Sequence, residues 1–378
     1  MTITRRIRIA FALPLLVPDG GAERVVLTLI RHLDRRRFEP TLIVLDGDPA
    51  RLRTFVPEDV GLVSLSSTRV RYGVWRLVRS LHAMRPDLLF CAIGHLNLMV
   101  AIVRPLLPRG MRVVARETNV VSAINADDGR TAVMNALYRR FYPRLDHVIC
   151  QSQDMFDDLI GNFGLPSARA SVIMNPVDLD TIRRQAGQPL PCEVPAWRAT
   201  PTADAVPTGL RLLAIGRLQP QKGFDLLLQA IAELPAGSVR LAIIGQGDED
   251  SALRAQARRL GLGGVVSFLG FQSNPYAFIA RADALVSSSR YEGLPNVVLE
   301  ALACGKPVIA TPAPGGLREI AARIGGVRLA SRLDAVALAQ AIREHLHAPT
   351  GLPPIAIETV SLGTVMARYQ ALLEDLAG

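Results

Sequence analysis

The strongest constraint on this chain is an alternation that runs twice. Short, almost wholly apolar segments alternate with amphipathic segments of helical period, first over residues 7–151 and again over residues 211–322. Strands that are apolar at every position, rather than at every second one, have to be covered on both faces. The segments between them supply the helices that do so. In the first half the expected strands are residues 7–11, 40–45, 88–92, 112–115 and 147–151, with helices at 23–33, 73–84 and 132–141. In the second half the strands are 211–215, 240–244, 265–269, 284–287 and 308–310, with helices at 225–233, 250–260, 274–281, 297–304 and 317–322. The fold class is therefore α/β, with two Rossmann-like, doubly wound domains facing a central crevice. Such sheets bind ligands beyond the carboxyl ends of their strands.

Residues 184–209 separate the halves. They hold Pro189, Pro191, Pro195, Pro201 and Pro207 and no apolar period, as a linker does. The expected organisation is a first domain at 1–183, a Pro-rich linker at 184–209, a second domain at 210–360, and a terminal helix at 361–378 packing back towards the first domain. A length of 378 residues suits two domains, and 49% hydrophobic against 20% charged residues excludes a mainly disordered chain. No apolar run reaches the roughly 18–20 residues that a spanning helix needs. Residues 7–17, with Arg5, Arg6 and Arg8 beside them, imitate a signal peptide, but Pro14 interrupts the run. A buried first strand feeding the turn at Gly20-Gly21 explains them better.

Cys91, Cys150, Cys192 and Cys304 form neither a CxxC nor a metal spacing and read as reduced thiols, which points to the cytoplasm. The net charge of +9 favours anionic partners. Aromatics are only 5% and no nucleic-acid motif is present, so nucleic acid is not expected as a partner. Acidic triplets at 46–48, 178–180 and 248–250 imitate a DxD metal motif, but three unrelated copies suggest chance, and no metal is assigned.

The richest stretch runs from Ser287 to Thr311. A strand ends in serines, a turn follows at Glu292-Gly293, and Pro295 stands where a helix start tolerates its missing N–H. The amides of Leu294, Asn296 and Val297 would point out of that helix start, where an anion can sit. Glu300 lies eight residues after Glu292, roughly 7 Å into the helix. One carboxylate can meet the phosphate end of a ligand and the other a group further along, such as ribose hydroxyls.

A second stretch, 214–228, puts Gly216 and Arg217 after a strand and Lys222-Gly223 before a helix. Two cations on one strand-to-helix loop suit a diphosphate. Lys222 is one of only two lysines among 43 basic residues, which weakly favours a specific role over a solvated charge. A third stretch, Pro18 to Arg24, carries Gly20 and Gly21 directly after the first strand. Paired glycines let backbone approach a phosphate, and a plain tight turn fits equally well. Gly245-Gln-Gly247 lacks the third glycine of a dinucleotide fingerprint. His95 and Glu117 each follow a strand and would face the crevice, where either could contact a sugar. A loop residue with a structural hydrogen bond fits as well.

Together these stretches resemble glycosyltransferase family 4, a retaining family with the GT-B fold. The likeness covers most of the chain and is strongest from Leu210 to Glu319. It rests on the E-x7-E pair (Glu292, Glu300), the phosphate loop (Gly216, Arg217, Lys222, Gly223), the Gly20 to Arg24 segment and Asn175-Pro-Val-Asp178. The resemblance implies that Arg217 and Lys222 neutralise the diphosphate of a nucleotide-sugar donor, most often a UDP-sugar. It also implies that Glu300 holds the ribose, that Glu292 meets the donor sugar, that Gly20 and Gly21 close over the diphosphate, and that the base lies against Gly270-Phe271. No cofactor or metal is implied. The Glu-Gly-Leu-Pro-Asn form, with Arg116-Glu-Thr-Asn119, is similar to members that build bacterial exopolysaccharide, lipopolysaccharide or lipid-linked oligosaccharide. The implied acceptor is a glycan or lipid-linked glycan. A sugar-nucleotide epimerase on the same fold and a non-catalytic nucleotide-sugar-binding subunit are the alternatives, although intact donor loops argue against the second.

Residues 69–82 mix arginines with Tyr72 and Trp75, and residues 138–144 do likewise. A basic amphipathic helix can lie on anionic lipid, which would place the protein peripherally on the cytoplasmic face of the inner membrane. A core-packing helix with solvated arginines is the plainer reading of both segments.

Overall fold

The computed structural model describes residues 5–16, 20–67, 70–127, 131–197, 209–349 and 351–378, apart from the side chains of residues 70, 71 and 127. Among the described residues the chain forms two parallel sheets with helices between successive strands. It divides into two compact units, one of Met1–Pro176 with Leu362–Gly378 and one of Val177–Ser361.

In the first unit the strands are β1 (Ile7–Leu15), β2 (Phe38–Asp46), β3 (Gly61–Ser64), β4 (Leu88–Ala92), β5 (Arg112–Arg116), β6 (His147–Cys150) and β7 (Ala170–Val172), in the order β3-β2-β1-β4-β5-β6-β7. Burial is why strand and helix alternate here. Ile9, Ala10, Phe11, Ala12 and Leu13 of β1 are each at most 1% exposed. On one face Ala10, Ala12, Leu89, Val113, Ala115 and Val148 join a core shared with helix Gly94–Val103. On β1 and β4 the residues between these positions include Phe11 and Phe90, whose rings lie 5.1 Å apart, and Tyr369 of the terminal helix Leu362–Ala377 packs 6.4 Å from Phe90. Tyr369 is fully buried. The amide of Asp34 donates to Gln370 (2.8 Å), Arg368 donates to the Val172 carbonyl (2.7 Å) and Arg37 pairs with Glu374, so polar interactions flank that apolar one.

The second unit repeats the arrangement with β8 (Leu210–Ile215), β9 (Val239–Ile244), β10 (Val266–Phe268), β11 (Ala284–Ser287), β12 (Val308–Ala310) and β13 (Val327–Leu329), in the order β10-β9-β8-β11-β12-β13. Each sheet reverses its winding once, between β1 and β4 and between β8 and β11. Loops leaving those two strands part in opposite directions and open a crevice at the carboxyl end. The described part of the Gly20 segment and Gly94-His95 lie beyond the first switch point. Residues 216–223 and 288–295 lie beyond the second.

Two boundaries differ from the expected ones. The first unit ends at Pro176, ahead of residue 183, because helix Leu179–Ala186 packs into the second unit. Leu179 and Ile182 are buried, and Asn274 donates to the Gln185 carbonyl (3.0 Å). Nor is 184–197 a free linker. The amide of Ala196 donates to Ser267 Oγ on β10 (2.8 Å) and Arg240 on β9 donates to the Ala196 carbonyl (3.1 Å), so the segment covers the sheet's edge strand. Residues 198–208 of the expected linker lie outside the described residues. Cys91, Cys150, Cys192 and Cys304 are free thiols.

Candidate functional site

The candidate donor site is built at the switch point of the second sheet. β8 ends at Ile215 and the chain passes through Gly216 and the exposed Arg217 into a short turn, Pro220–Lys222. Gly223 follows at φ +61 and opens helix Phe224–Ala232. A side chain at 223 would run into the Ser288 carbonyl, so this turn requires glycine twice, for its dihedral and for the close approach of the next loop. That loop descends from β11 and carries Glu292.

Lys222 Nζ donates to Glu292 Oε1 at 2.5 Å. Glu292 is 6% exposed and also accepts from Ser289 Oγ at 2.6 Å. Thr311 donates to the Ser289 carbonyl (2.6 Å), which fixes the serine that fixes the glutamate. A small cavity opens beside the pair, lined by Ile215, Ser287, Ser288, Ser289 and Val297 as well as Lys222 and Glu292. Helix Asn296–Ala303 begins here, with Pro295 as its N-cap and the Val298 amide donating back to the Pro295 carbonyl (3.0 Å). Leu294, Asn296 and Val297 lie at this positive helix end. One turn further on, Glu300 is 7% exposed and accepts from Tyr276 at 3.3 Å.

The Gly245-Gln-Gly247 segment finds its explanation in packing. Side chains at 245 and 247 would strike the Gly216 and Leu218 backbones, and Leu218 donates to the Gln246 carbonyl (2.9 Å). These glycines therefore underlie the phosphate-type loop. Gly270 (φ +67) accepts from the Gly245 amide (2.9 Å), and its neighbour Phe271 is 48% exposed.

In the first unit Gly20 caps helix Gly21–His32, with Glu23 in its first turn. Pro18 and Asp19 lie outside the described residues. His95 is exposed in the first turn of helix Gly94–Val103, directly after Ile93, a β-branched residue held at φ +87. Such a dihedral costs of order 1–3 kcal/mol and persists only where surrounding structure imposes it. Partial burial lowers the His95 pKa from its ordinary value.

Glu117 does not face open space as expected. It is 1% exposed, accepts from Asn97 Nδ2 (2.9 Å) and from Tyr142, and lies beside Tyr138. Burial pushes its carboxyl up to about 7, against the lowering influence of Asn97, the Thr118 amide and Arg116. The physical reason is strand alternation, which gives residue 117 the same face as the buried Val113 and Ala115. In segment 138–144 the structure agrees with the plainer, core-packing reading. Tyr138 is 5% and Tyr142 0% exposed, so its aromatics belong to the core, where their rings lie 4.5 Å apart.

Sequence reasoning placed Lys222, Glu292, Arg217 and Glu300 on the loops and helix that meet here. It missed Ser289, Thr311 and Tyr276, which hold the carboxylates. The run of serines ending β11 was visible, but nothing local in the sequence says which serine faces Glu292.

Residues 19–181 match the family model Glycosyltransferase Family 4, and residues 204–355 match Glycosyl transferases group 1. Two Rossmann-like domains carrying these two models define a glycosyltransferase of the GT-B fold. The chain belongs to glycosyltransferase family 4. It is 27% identical over 80% of its length to a Campylobacter jejuni protein, N-acetylgalactosamine-N,N'-diacetylbacillosaminyl-diphospho-undecaprenol 4-alpha-N-acetylgalactosaminyltransferase, of which it also covers 80%. It is 26% identical to the lipopolysaccharide core biosynthesis glycosyltransferase LpsD of Rhizobium meliloti, covering 79% of this chain and 76% of that one. The crystal structure of Anabaena Alr3699/HepE in complex with UDP and glucose superposes with a TM-score of 0.70 at 21% identity, over 98% of this chain and 95% of that one. These likenesses favour neither the epimerase nor the non-catalytic alternative.

Proposed function

We propose that the protein transfers a hexose or N-acetylhexosamine, with retention of configuration and without a metal, from a UDP-sugar to a saccharide or lipid-linked saccharide acceptor in bacterial surface-glycan synthesis. The observation that carries this reading is the meeting of Lys222 with Glu292 at the mouth of helix Asn296–Ala303.

A diphosphate at that mouth would accept from the first-turn amides and take Lys222 and Arg217 as counter-charges. Cations fixed beside a leaving phosphate favour the charge that grows on it as the glycosidic bond breaks, and this is transition-state stabilisation. Glu292, released from Lys222, would accept hydrogen bonds from the donor sugar, and Glu300 with Tyr276 would take the ribose hydroxyls. The exposed Phe271 beside Gly270 offers a ring for the base. In the first unit His95 offers a hydrogen-bonding group for the transferred sugar, while Glu117 acts through the structure beneath it. The departing phosphate can take the acceptor's proton, so no separate general base is required. UDP is favoured because the related HepE structures hold UDP or UDP-glucose. The acceptor class follows the C. jejuni and R. meliloti relatives.

No described helix is long and apolar enough to cross a membrane. Helix Val70–Met84 nonetheless exposes Trp75 (55%) and Tyr72 (60%), and His82 ties it to the segment bearing Leu106, which is 48% exposed. Arg69 and the side chains of Val70 and Arg71 lie outside the described residues. This face would rest peripherally on an anionic cytoplasmic leaflet, where a lipid-linked acceptor is found.

The direct test is incubation of the purified protein with UDP-, GDP-, ADP- and dTDP-sugars, with and without EDTA, following nucleotide release and thermal shift. Stabilisation or turnover with one UDP-sugar, unchanged by EDTA, is expected. Turnover that requires added divalent cation would refute the metal-free mechanism.

A further inference from the structure

Lys222 and Glu292 stand 70 positions apart on different loops, yet their charged groups meet at 2.5 Å. A lysine stem has four rotatable carbons, so its own flexibility cannot define that meeting point. What defines it is the backbone register between the loops, and among the side chains that join them Arg290 makes the most contacts. The Arg290 guanidinium takes both oxygens of Asp225, at 2.8 and 2.7 Å, and Nη1 also donates to the Pro220 carbonyl at 2.6 Å. Its backbone amide donates to the Gln221 carbonyl (2.7 Å), Gln221 donates to the Tyr291 carbonyl (3.0 Å), and Ser288 donates to the Lys222 carbonyl (2.9 Å). Burial pushes the Asp225 carboxyl up, but the hydrogen-bonded Arg290 outweighs it and leaves the group below its ordinary value.

We propose that Arg290 and Asp225 are positioning residues of the donor site, a clamp that holds the Lys222 turn and the Glu292 loop in the register needed to grip a donor diphosphate. The proposal rests on the reading of this site given above. Two features support a role beyond stability. The pair is about one-third exposed, 35% and 32%, and ion pairs so placed contribute little to folding. The clamp also grips the first turn of helix Phe224–Ala232 and the turn Pro220–Lys222 at once, so it sets the lysine's backbone and not only a surface pairing. A fork is needed for this, because a lysine at 290 keeps the charge but loses the paired geometry.

Electrostatics alone and the clamp predict opposite signs for Asp225→Asn. Removing a negative charge near an anion site strengthens anion binding if charge is all that matters. Under the clamp it weakens binding. The experiment measures UDP and UDP-sugar affinity by calorimetry, and donor KM and kcat, for the full-length protein and for Asp225→Asn, Arg290→Lys and the double variant, with melting temperatures as a folding control. The expected result is a loss of about 10- to 100-fold in kcat/KM for each single variant, of the size that small misplacements cause. Melting should change little, and the double variant should be no worse than either single one, as for residues acting as a unit. Arg290→Lys is the mild variant that keeps the test decisive if Asp225→Asn fails to fold. Donor affinity in Asp225→Asn equal to or tighter than that of the unaltered protein would overturn the clamp, as would losses that add. Failure of the unaltered protein to bind UDP or any UDP-sugar would overturn the donor reading itself, and the clamp with it.

Discussion

Ser289 and Lys222 approach the same oxygen of Glu292 from two different loops, the hydroxyl at 2.6 Å and the ammonium at 2.5 Å. The carboxylate is thus oriented and buried. In the proposed reaction, a donor diphosphate that draws Lys222 away would leave Glu292 aimed by Ser289.

In the reaction proposed above, Lys222→Ala would remove the counter-charge for the leaving phosphate. Turnover should fall about 10²- to 10³-fold, the usual range for loss of one preorganised donor at a developing anion. Circular dichroism should remain native. Transfer at undiminished rate in the folded variant would remove Lys222 from the mechanism.

Glu117 predicts a pH dependence of stability. Its folded pKa of about 7 lies above the 4.5 of an ordinary glutamate, so the folded chain holds this proton more tightly. The contribution is complete below the unfolded value and is lost as pH rises through the folded one, a change on the order of a few kcal/mol. Urea unfolding of the unaltered protein should lose stability from about pH 5 to about pH 8 relative to Glu117→Gln, whose amide carries no titrating proton. Parallel profiles for the two proteins would refute the assignment.

Tyr369→Ala should cost about 3 kcal/mol or more, the range for deleting a buried aromatic. The ring packs tilted against Phe90 and is fully buried. Because Tyr369 belongs to the first unit, its loss should unfold that unit at lower denaturant. Two resolved transitions, with only the earlier one displaced, are the expected signature.

Trp75→Ala with Tyr72→Ala should weaken sedimentation with vesicles of phosphatidylglycerol and phosphatidylethanolamine and leave the melting temperature within a degree or two, since both rings are more than half exposed. Binding should also fall with salt. Equal binding of the variant would exclude this face.

The sheets were legible because their central strands are apolar run after run, as in 9–13 and 241–244. The edge strands β3, β7, β10 and β13 run to only three or four residues, and β3, β7 and β13 gave no signal. Helix Gly94–Val103 escaped because it is apolar nearly all round, and a period needs a polar side to be seen. Helix Gln153–Phe163 does carry readable signals at both ends, although it is missing from the expected elements. Its N-cap Ser152 accepts from the Met155 amide, and Gly164 at φ +68 follows its last turn. At the site the charged residues stood out in the sequence, whereas their holders did not. Ser289 and Tyr276 matter only because two loops and a helix converge, and convergence is a property of topology. Glu117 could have been read correctly, since counting back in twos from it reaches Ala115 and Val113.

The first unit takes residues from both sides of the second, which is inserted between Pro176 and Leu362. On the ribosome, the sheet bearing Phe11 and Phe90 is therefore made early and stays uncovered until helix Leu362–Ala377 emerges, while the whole second unit is synthesised in between. A premature stop just before Leu362 would leave the second unit's sequence whole and strip the lid from the first. Nascent chains stalled before that helix should be the species that chaperones bind, and frameshifts just ahead of it should lower the amount of protein in the cell more than they alter the second unit.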